Sequence, residues 1–211
     1  SGAGIYNLGM LTLSNSTVSG NSALFDGGGI SNSGTLTLNS STANDNIAGN
    51  NGGGIFNPGT LTLNSSAVSS NSAGANGAGI FNSGTLTLSS SVVSDNDAPS
   101  FGTGGLYNTS SSTASLNNSV ISGNAFIGIY NEGNNLSLSN SAVSANYLGI
   151  INAGAGTATI DHTSVSGNLP LGGIIHQSSG NLTVTNSTVS GNYNGFANGF
   201  AGGVTTLGGN V

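Results

Sequence analysis

The sequence contains no lysine, no arginine and no cysteine, and each absence excludes a class of function. Nucleic acids and anionic membrane surfaces are bound through cationic side chains, so we expect neither as a partner of a chain whose net charge is −6. Without cysteine there is no disulfide framework and no thiolate ligand for a metal. Only 3% of the residues are charged, which leaves little repulsion between copies and favours association.

What the sequence does contain is a repeat. A glycine followed by an aliphatic residue returns about every 24 residues, a period that is the signature of a solenoid. Four clear copies are GAGIYNLGMLTLSNSTVSGN, GGGISNSGTLTLNSSTANDN, GGGIFNPGTLTLNSSAVSSN and GAGIFNSGTLTLSSSVVSDN. The aliphatic landmark falls at Ile5, Ile30, Ile55, Ile80, Leu106, Ile129, Ile150, Ile174 and Val204.

Each repeat holds three short apolar segments separated by residues that favour turns. In the Leu-Thr-Leu segment, alternation places the leucines inside and the threonine between them outside. The sequence therefore predicts an all-β fold, a right-handed, single-stranded parallel β-helix of about eight coils of 21–30 residues, with three short strands per coil. We expect residues 1–211 to form one domain, a mature or excised region with uncapped ends, because both ends fall inside a repeat.

Asparagine closes two of the three segments in register. Its side-chain amide can bond to the same amide one coil away, so both columns predict structural ladders. The first segment ends at an asparagine in seven coils, and His176 takes this place in the eighth. The third segment ends at Asn21, Asn46, Asn71, Asn96, Asn124, Asn146, Asn168 and Asn192.

Two short motifs resemble a known family. Gly28-Gly29-Ile30 and Gly53-Gly54-Ile55 are similar to the Gly-Gly-Ala-Ile motif, and Val18-Ser19-Gly20-Asn21 to the Phe-x-x-Asn motif, in β-helix repeats of polymorphic outer-membrane proteins and related bacterial surface adhesins. Val189-Ser190-Gly191-Asn192 repeats the second motif, and valine stands where the family has phenylalanine. The resemblance covers nearly the whole chain. It implies an extracellular or cell-surface setting and no particular activity.

Residues that could perform catalysis are few and scattered. A glycosidase needs two facing carboxylates, whereas Asp95 and Asp97 fall in one turn. Asp161 and His162 form the one acid–imidazole pair in the sequence, and asparagine or serine fills the place of His162 in other coils. Calcium needs several carboxylate oxygens, and the acids lie in different coils. We therefore predict that the chain is not an enzyme and holds no cofactor or metal.

Threonines mark a candidate ice-binding face. Thr-x-Thr arrays, spaced by about 6.6 Å across and about 4.8 Å along the rod, resemble the ice-binding faces of β-helical antifreeze proteins. The alternative is that threonine is simply a good outward-facing strand residue. The candidate residues are Thr35, Thr37, Thr60, Thr62, Thr85, Thr87, Thr157 and Thr159.

The residue after each aliphatic landmark marks an apolar stripe. Because neighbouring residues in a strand point to opposite faces, an inward landmark places these side chains outside, unless a corner turns both inward. A long apolar stripe usually marks a protein contact, and covering loops are the alternative. The candidate stripe comprises Tyr6, Phe56, Phe81, Tyr107, Tyr130, Ile151 and Ile175.

These patterns favour a non-enzymatic, extracellular or cell-surface structural protein. Its expected partners are copies of itself, stacked end to end into filaments or a surface layer and touching laterally along the apolar stripe. Two other functions stay open: ice binding through the threonine array, and a stalk or passenger domain of an adhesin.

Overall fold

The computed structural model describes residues 4–99, 102–177, 179–198 and 204–207, and within these ranges every regular element is a β-strand. Strands at equivalent positions of successive coils pair in parallel, so the chain forms the predicted β-solenoid with three main sheets. The predicted uncapped ends fall on residues 1–3 and 208–211, which lie outside the described residues.

The first sheet contains the aliphatic landmarks from Ile5 to Ile174. The prediction that Val204 is the ninth landmark was wrong, because Val204 pairs with Leu182 in the second sheet and Phe196 pairs with Ile174 in the first. Ile30 pairs with Ile5 and Ile55, and the landmarks stay in register from coil to coil as far as Ile174 because a glycine–aliphatic step recurs in each coil. The nine strands of the first sheet are Ile5–Asn7, Ile30–Asn32, Ile55–Asn57, Ile80–Asn82, Leu106–Asn108, Ile127–Asn131, Leu148–Asn152, Gly172–His176 and Phe196–Asn198.

The second sheet has five-residue strands in all but its last member, and it carries the Leu-Thr-Leu segments. Leucines at alternate positions are buried, and the residues between them are half-buried or exposed, as the period of two requires. The nine strands of the second sheet are Met10–Ser14, Thr35–Asn39, Thr60–Asn64, Thr85–Ser89, Thr113–Asn117, Asn135–Ser139, Thr157–Asp161, Asn181–Thr185 and Val204–Leu207.

The third sheet contributes one buried aliphatic or alanine side chain per coil. Its eight strands match the eight predicted coils, and each places its central residue inside and its two flanking residues outside. These strands are Thr17–Ser19, Thr42–Asn44, Ala67–Ser69, Val92–Ser94, Val120–Ser122, Ala142–Ser144, Ser164–Ser166 and Thr188–Ser190.

A fourth, three-stranded sheet was not predicted from the sequence. Its strands are only two residues long, and an isolated bridge between Ser72 and Asp97 extends the pairing into the fourth coil. So short a segment has no periodic pattern to detect. The strands are Ser22–Ala23, Ile47–Ala48 and Ser72–Ala73.

The core is one continuous column of aliphatic side chains from the three main sheets. Ile55, Leu61, Leu63 and Val68 of the third coil are all fully buried, and each stacks on its counterparts above and below. Burying a side chain of this size stabilises a fold by about 1.5–3 kcal/mol relative to leaving it exposed. Because every coil repeats the set, stability accumulates along the rod.

Two corners of each coil require left-handed backbone. One lies between the second and third strands, where φ is 47° at Ser65 and 45° at His162. The other follows the third strand, where φ is 55° at Ala145 and 56° at Asp95. Asparagine, aspartate and glycine tolerate this region best, which explains why small polar residues and glycine recur at these corners.

Candidate functional surfaces

The asparagine ladder after the third strand is confirmed. The Asn46 side-chain Nδ2 donates to Asn71 Oδ1 at 3.0 Å and to the Val18 carbonyl oxygen at 3.0 Å, and the Asn46 main-chain N–H also donates to Asn71 Oδ1. The amide bonds between coils measure 2.9–3.1 Å throughout this ladder, and each amide donates toward the following coil. The ladder runs through Asn21, Asn46, Asn71, Asn96, Asn124, Asn146, Asn168 and Asn192.

A second asparagine ladder follows the first strand of each coil, and its last member is a histidine. Six successive amide–amide bonds measure 2.7–2.8 Å, and Asn152 then pairs with His176 Nδ1 at 3.1 Å. Because Asn152 Nδ2 is a donor, this geometry requires an unprotonated Nδ1 on the fully buried His176. The amides belong to Asn7, Asn32, Asn57, Asn82, Asn108, Asn131 and Asn152.

A hydroxyl ladder that the sequence reasoning missed lies just before the third strand. Ser66 Oγ accepts from the Ser41 main-chain N–H at 3.1 Å and donates to the Asn64 carbonyl oxygen at 2.8 Å. The same pattern joins the following coils. The sequence feature that indicates it is a serine or threonine immediately after the left-handed corner between the second and third strands. Its members are Ser41, Ser66, Ser91, Ser119, Ser141, Thr163 and Ser187.

These ladders account for the recurring buried polar side chains of the rod. A buried polar group costs about 1–3 kcal/mol when it lacks a hydrogen-bond partner, and here each recurring group bonds to its neighbour in the next coil. The hydrogen-bonding groups of the buried asparagine, serine and threonine side chains therefore join neighbouring coils.

The threonine face is in register along the second sheet. Thr60 pairs with Thr35 and Thr85, and Thr62 pairs with Thr37 and Thr87. Thr35, Thr60 and Thr85 are exposed, whereas Thr37, Thr62 and Thr87 are half-buried.

The array is longer than predicted on one side and broken on the other. Thr113, which is half-buried, continues the rank of Thr35, Thr60 and Thr85 in register, a position not included in the predicted face. Thr157 and Thr159 lie in a later strand, separated from the first group by Asn135 and Ser137. The candidate residues therefore form two groups on one face.

The apolar stripe lies on the opposite side of the first sheet from the buried landmarks. Phe56, Phe81, Tyr107 and Tyr130 are half-buried and stack their rings at centroid distances of 5.2–5.3 Å. The ring contacts are therefore already satisfied within the rod, in the distance range of favourable aromatic pairs.

The ends of the stripe differ from its middle. Tyr6 is 55% exposed, whereas Ile151 is buried in a small cluster with Ile127 and Leu148, and Ile175 packs partly against that cluster. Ser31 interrupts the apolar series and is itself buried.

The acids lie mostly in turns. Asp95 and Asp97 are both exposed, and Asp95 occupies a left-handed corner. Glu132 lies beside the stripe, and burial followed by the negative charge of Glu132 raises the pKa of Tyr107 and of Tyr130.

Asp161 and His162 form the one close acid–histidine contact found among the described residues. Asp161 Oδ2 lies 2.9 Å from His162 Nδ1, and Asp161 Oδ1 accepts from Thr185 Oγ1 and Asn186 Nδ2. These hydrogen bonds, that from Thr185 first, lower the pKa of Asp161 to about 2. His162 sits at the left-handed corner where other coils have asparagine or serine.

An open cavity of about 230 Å³ adjoins this pair, lined by His162, Thr163, Ser164, Asn186 and Thr188. Within the ranges that the structure describes, no three His, Asp or Glu side chains converge to hold a metal ion. Nor does that part of the chain contain a helix long and apolar enough to cross a bilayer.

Protein-family models, curated proteins and solved structures were all compared with the chain, and none matches it. The class that the geometry defines is a parallel β-solenoid with asparagine ladders.

Proposed function

We propose that the chain is a non-enzymatic structural rod of an extracellular or cell-surface setting, which assembles with copies of itself. The observation that carries this proposal is the continuity of the ladders: the recurring buried polar side chains are engaged from coil to coil. A molecule organised in this way is a stiff spacer. The family resemblance of the two glycine and asparagine motifs favours the same setting and keeps an adhesin stalk or passenger domain as a related role.

Association is favoured by the surface composition. There are only six acids and no lysine or arginine in 211 residues, so copies meet little electrostatic repulsion. Tyr6, Leu8, Met10 and Phe25 add exposed apolar area in the first coil. End-to-end stacking of coils and lateral contact along the stripe are the two modes that we propose.

Sedimentation velocity over a wide concentration range, with electron microscopy of the same samples, tests assembly. We expect filaments or rod bundles that grow with concentration. A monodisperse monomer at every concentration would overturn the proposal. Tyr6→Lys should weaken lateral bundling because it places a charge on the stripe. Tyr193→Lys is the matched control, since Tyr193 is also exposed and lies outside the stripe.

Ice binding is the second candidate, favoured by the register of the threonines. Thr35, Thr60, Thr85 and Thr113 form one uninterrupted rank with hydroxyls repeating about every 4.8 Å along the rod. No charged residue interrupts this rank, and such a surface can order water in a lattice.

Thermal hysteresis and ice shaping test this candidate. We expect Thr62→Lys to abolish hysteresis, because it places a charge in the centre of the face. Thr42→Lys should leave hysteresis intact, since Thr42 is equally half-buried but lies on the third sheet. Absence of hysteresis in the unaltered protein rules out ice binding.

A further inference from the structure

Tyr107 and Tyr130 form a stacked pair of phenol rings. They occupy paired positions of neighbouring coils, and their rings are parallel within 1° at a centroid distance of 5.2 Å. Within the described part of the chain, theirs is the one contact between two tyrosine rings: Tyr6 pairs in register with Ser31, and Tyr147 contacts Phe126.

The pair is open to solvent on one side. Both rings are half-buried, so a diffusing oxidant can reach them from the solvent side. Phe81 covers the far face of Tyr107, which holds that ring against Tyr130.

Glu132 supplies a base at the same place. Its carboxylate lies close enough to both rings for its negative charge to act on the Tyr107 and Tyr130 hydroxyl groups. Burial and this negative charge raise both tyrosine pKa values, so the phenols keep their protons at neutral pH. A carboxylate in this position can take the phenolic proton as an electron leaves the ring.

We propose that Tyr107 and Tyr130 are an oxidative modification site that couples to dityrosine and covalently joins two neighbouring coils. The co-reactant is a peroxide used by a haem-type peroxidase. Each phenol loses one electron and one proton, and one ring carbon ortho to each hydroxyl group forms the new carbon–carbon bond. The ring hydrogens on these two carbons move to the phenolic oxygens. The two electrons and two protons removed reduce the peroxide, hydrogen peroxide giving two waters.

The link would lie within one chain and does not depend on assembly. It would fasten the coil that begins near Leu106 to the coil that begins near Ile129, on the outer side of the first sheet.

Peroxidase and hydrogen peroxide added to the full chain test the proposal, with dityrosine fluorescence and intact mass as readouts. We expect a monomer lighter by two hydrogen atoms, and a cross-linked peptide containing both tyrosines after elastase digestion. Tyr107→Phe and Tyr130→Phe should each reduce the fluorescence to background, while phenylalanine preserves the ring stack. Tyr147→Phe and Tyr193→Phe should retain it.

Glu132→Gln separates proximity from proton acceptance. It should slow coupling while leaving the same cross-linked peptide. Circular dichroism verifies that each variant is folded. The proposal is overturned if the unaltered chain yields no dityrosine, or if the product persists in the folded Tyr107→Phe variant.

Discussion

The first four coils and the later coils build the same three sheets but close their remaining corner differently. In the early coils a two-residue strand of the fourth sheet precedes a tight glycine-rich corner, and small side chains such as Ala73 and Ala78 fill it. In the sixth to eighth coils the first strand lengthens to five residues, as in Leu148–Asn152, and the described residues of these coils contribute no strand to the fourth sheet.

One position in the coil makes this difference visible. Gly28 and Gly53 precede the landmark glycine in the second and third coils, where neighbouring carbonyl oxygens leave no room for a side chain, and Ala78 takes this position in the fourth coil. Ile127 and Leu148 occupy the equivalent position in the sixth and seventh coils and are buried in a separate apolar cluster. A shorter coil therefore exchanges a backbone-packed corner for a side-chain-packed one.

The largest expected effect comes from breaking the side-chain-packed corner. Leu148→Ala should destabilise the fold by about 3 kcal/mol, because it removes a buried side chain and leaves a cavity among Ile127 and Ile151. Chemical denaturation measures the change. Leu169→Ala is the control, since Leu169 is 54% exposed and its truncation should cost little. An equal loss in both variants would contradict the assignment.

Breaking the backbone-packed corner should cost somewhat less. A Cβ at Gly53 would lie 2.3 Å from the Ser72 carbonyl oxygen, so Gly53→Ala should force a backbone shift costing about 2 kcal/mol. Thermal denaturation with Gly9→Ala alongside checks this, because a Cβ at Gly9 meets no atom within 4 Å. If Gly53→Ala were neutral, the corner would not be limited by backbone contacts.

The left-handed corner after the third strand offers a stabilising change. Later coils use Gly123, Gly167 and Gly191 here, whereas Ala145 adopts φ 55°. Ala145→Gly should raise the free energy of unfolding by about 1 kcal/mol, since glycine adopts this conformation without strain. Ala142→Gly, in a strand, should instead lower it by about 0.5–1 kcal/mol. Denaturant midpoints of the two variants should move in opposite directions.

The smallest expected effect concerns pH. Asp161 occupies a rank where Asn39 and Asn64 stand in early coils. Its folded pKa of about 2 lies below the ordinary 3.8, so its ionised form contributes stability above pH about 4 that is lost as the pH falls toward 2. The melting-temperature difference between Asp161→Asn and the unaltered protein should shrink over that interval. A constant difference would show that ionisation is not the source.

The sequence predicts what recurs and misses what depends on the shape of a corner. The recurrence of asparagine at the position of Asn46 and Asn71 in every coil predicts the ladder. Ile30 and Leu61 likewise reveal the core through their alternation with polar residues. The fourth sheet could not be predicted because a strand such as Ser22–Ala23 has no period of its own.

The candidate surfaces show the same limit. Strand parity correctly puts Tyr107 opposite the buried Leu106. Parity alone could not predict that the stripe rings stack on one another, or that Ile151 is buried, because both depend on side chains from other coils.

The direction of the hydrogen bonds in the amide ladders makes the rod polar along its axis. Each asparagine side chain donates to the amide oxygen in the following coil and accepts from the amide nitrogen in the preceding one. Each column of amides therefore has a donor end and an acceptor end. Two rods laid side by side in opposite directions therefore differ from two laid in the same direction. A further coil can continue a column at its donor end only by offering an oxygen or an unprotonated nitrogen, as His176 does for Asn152.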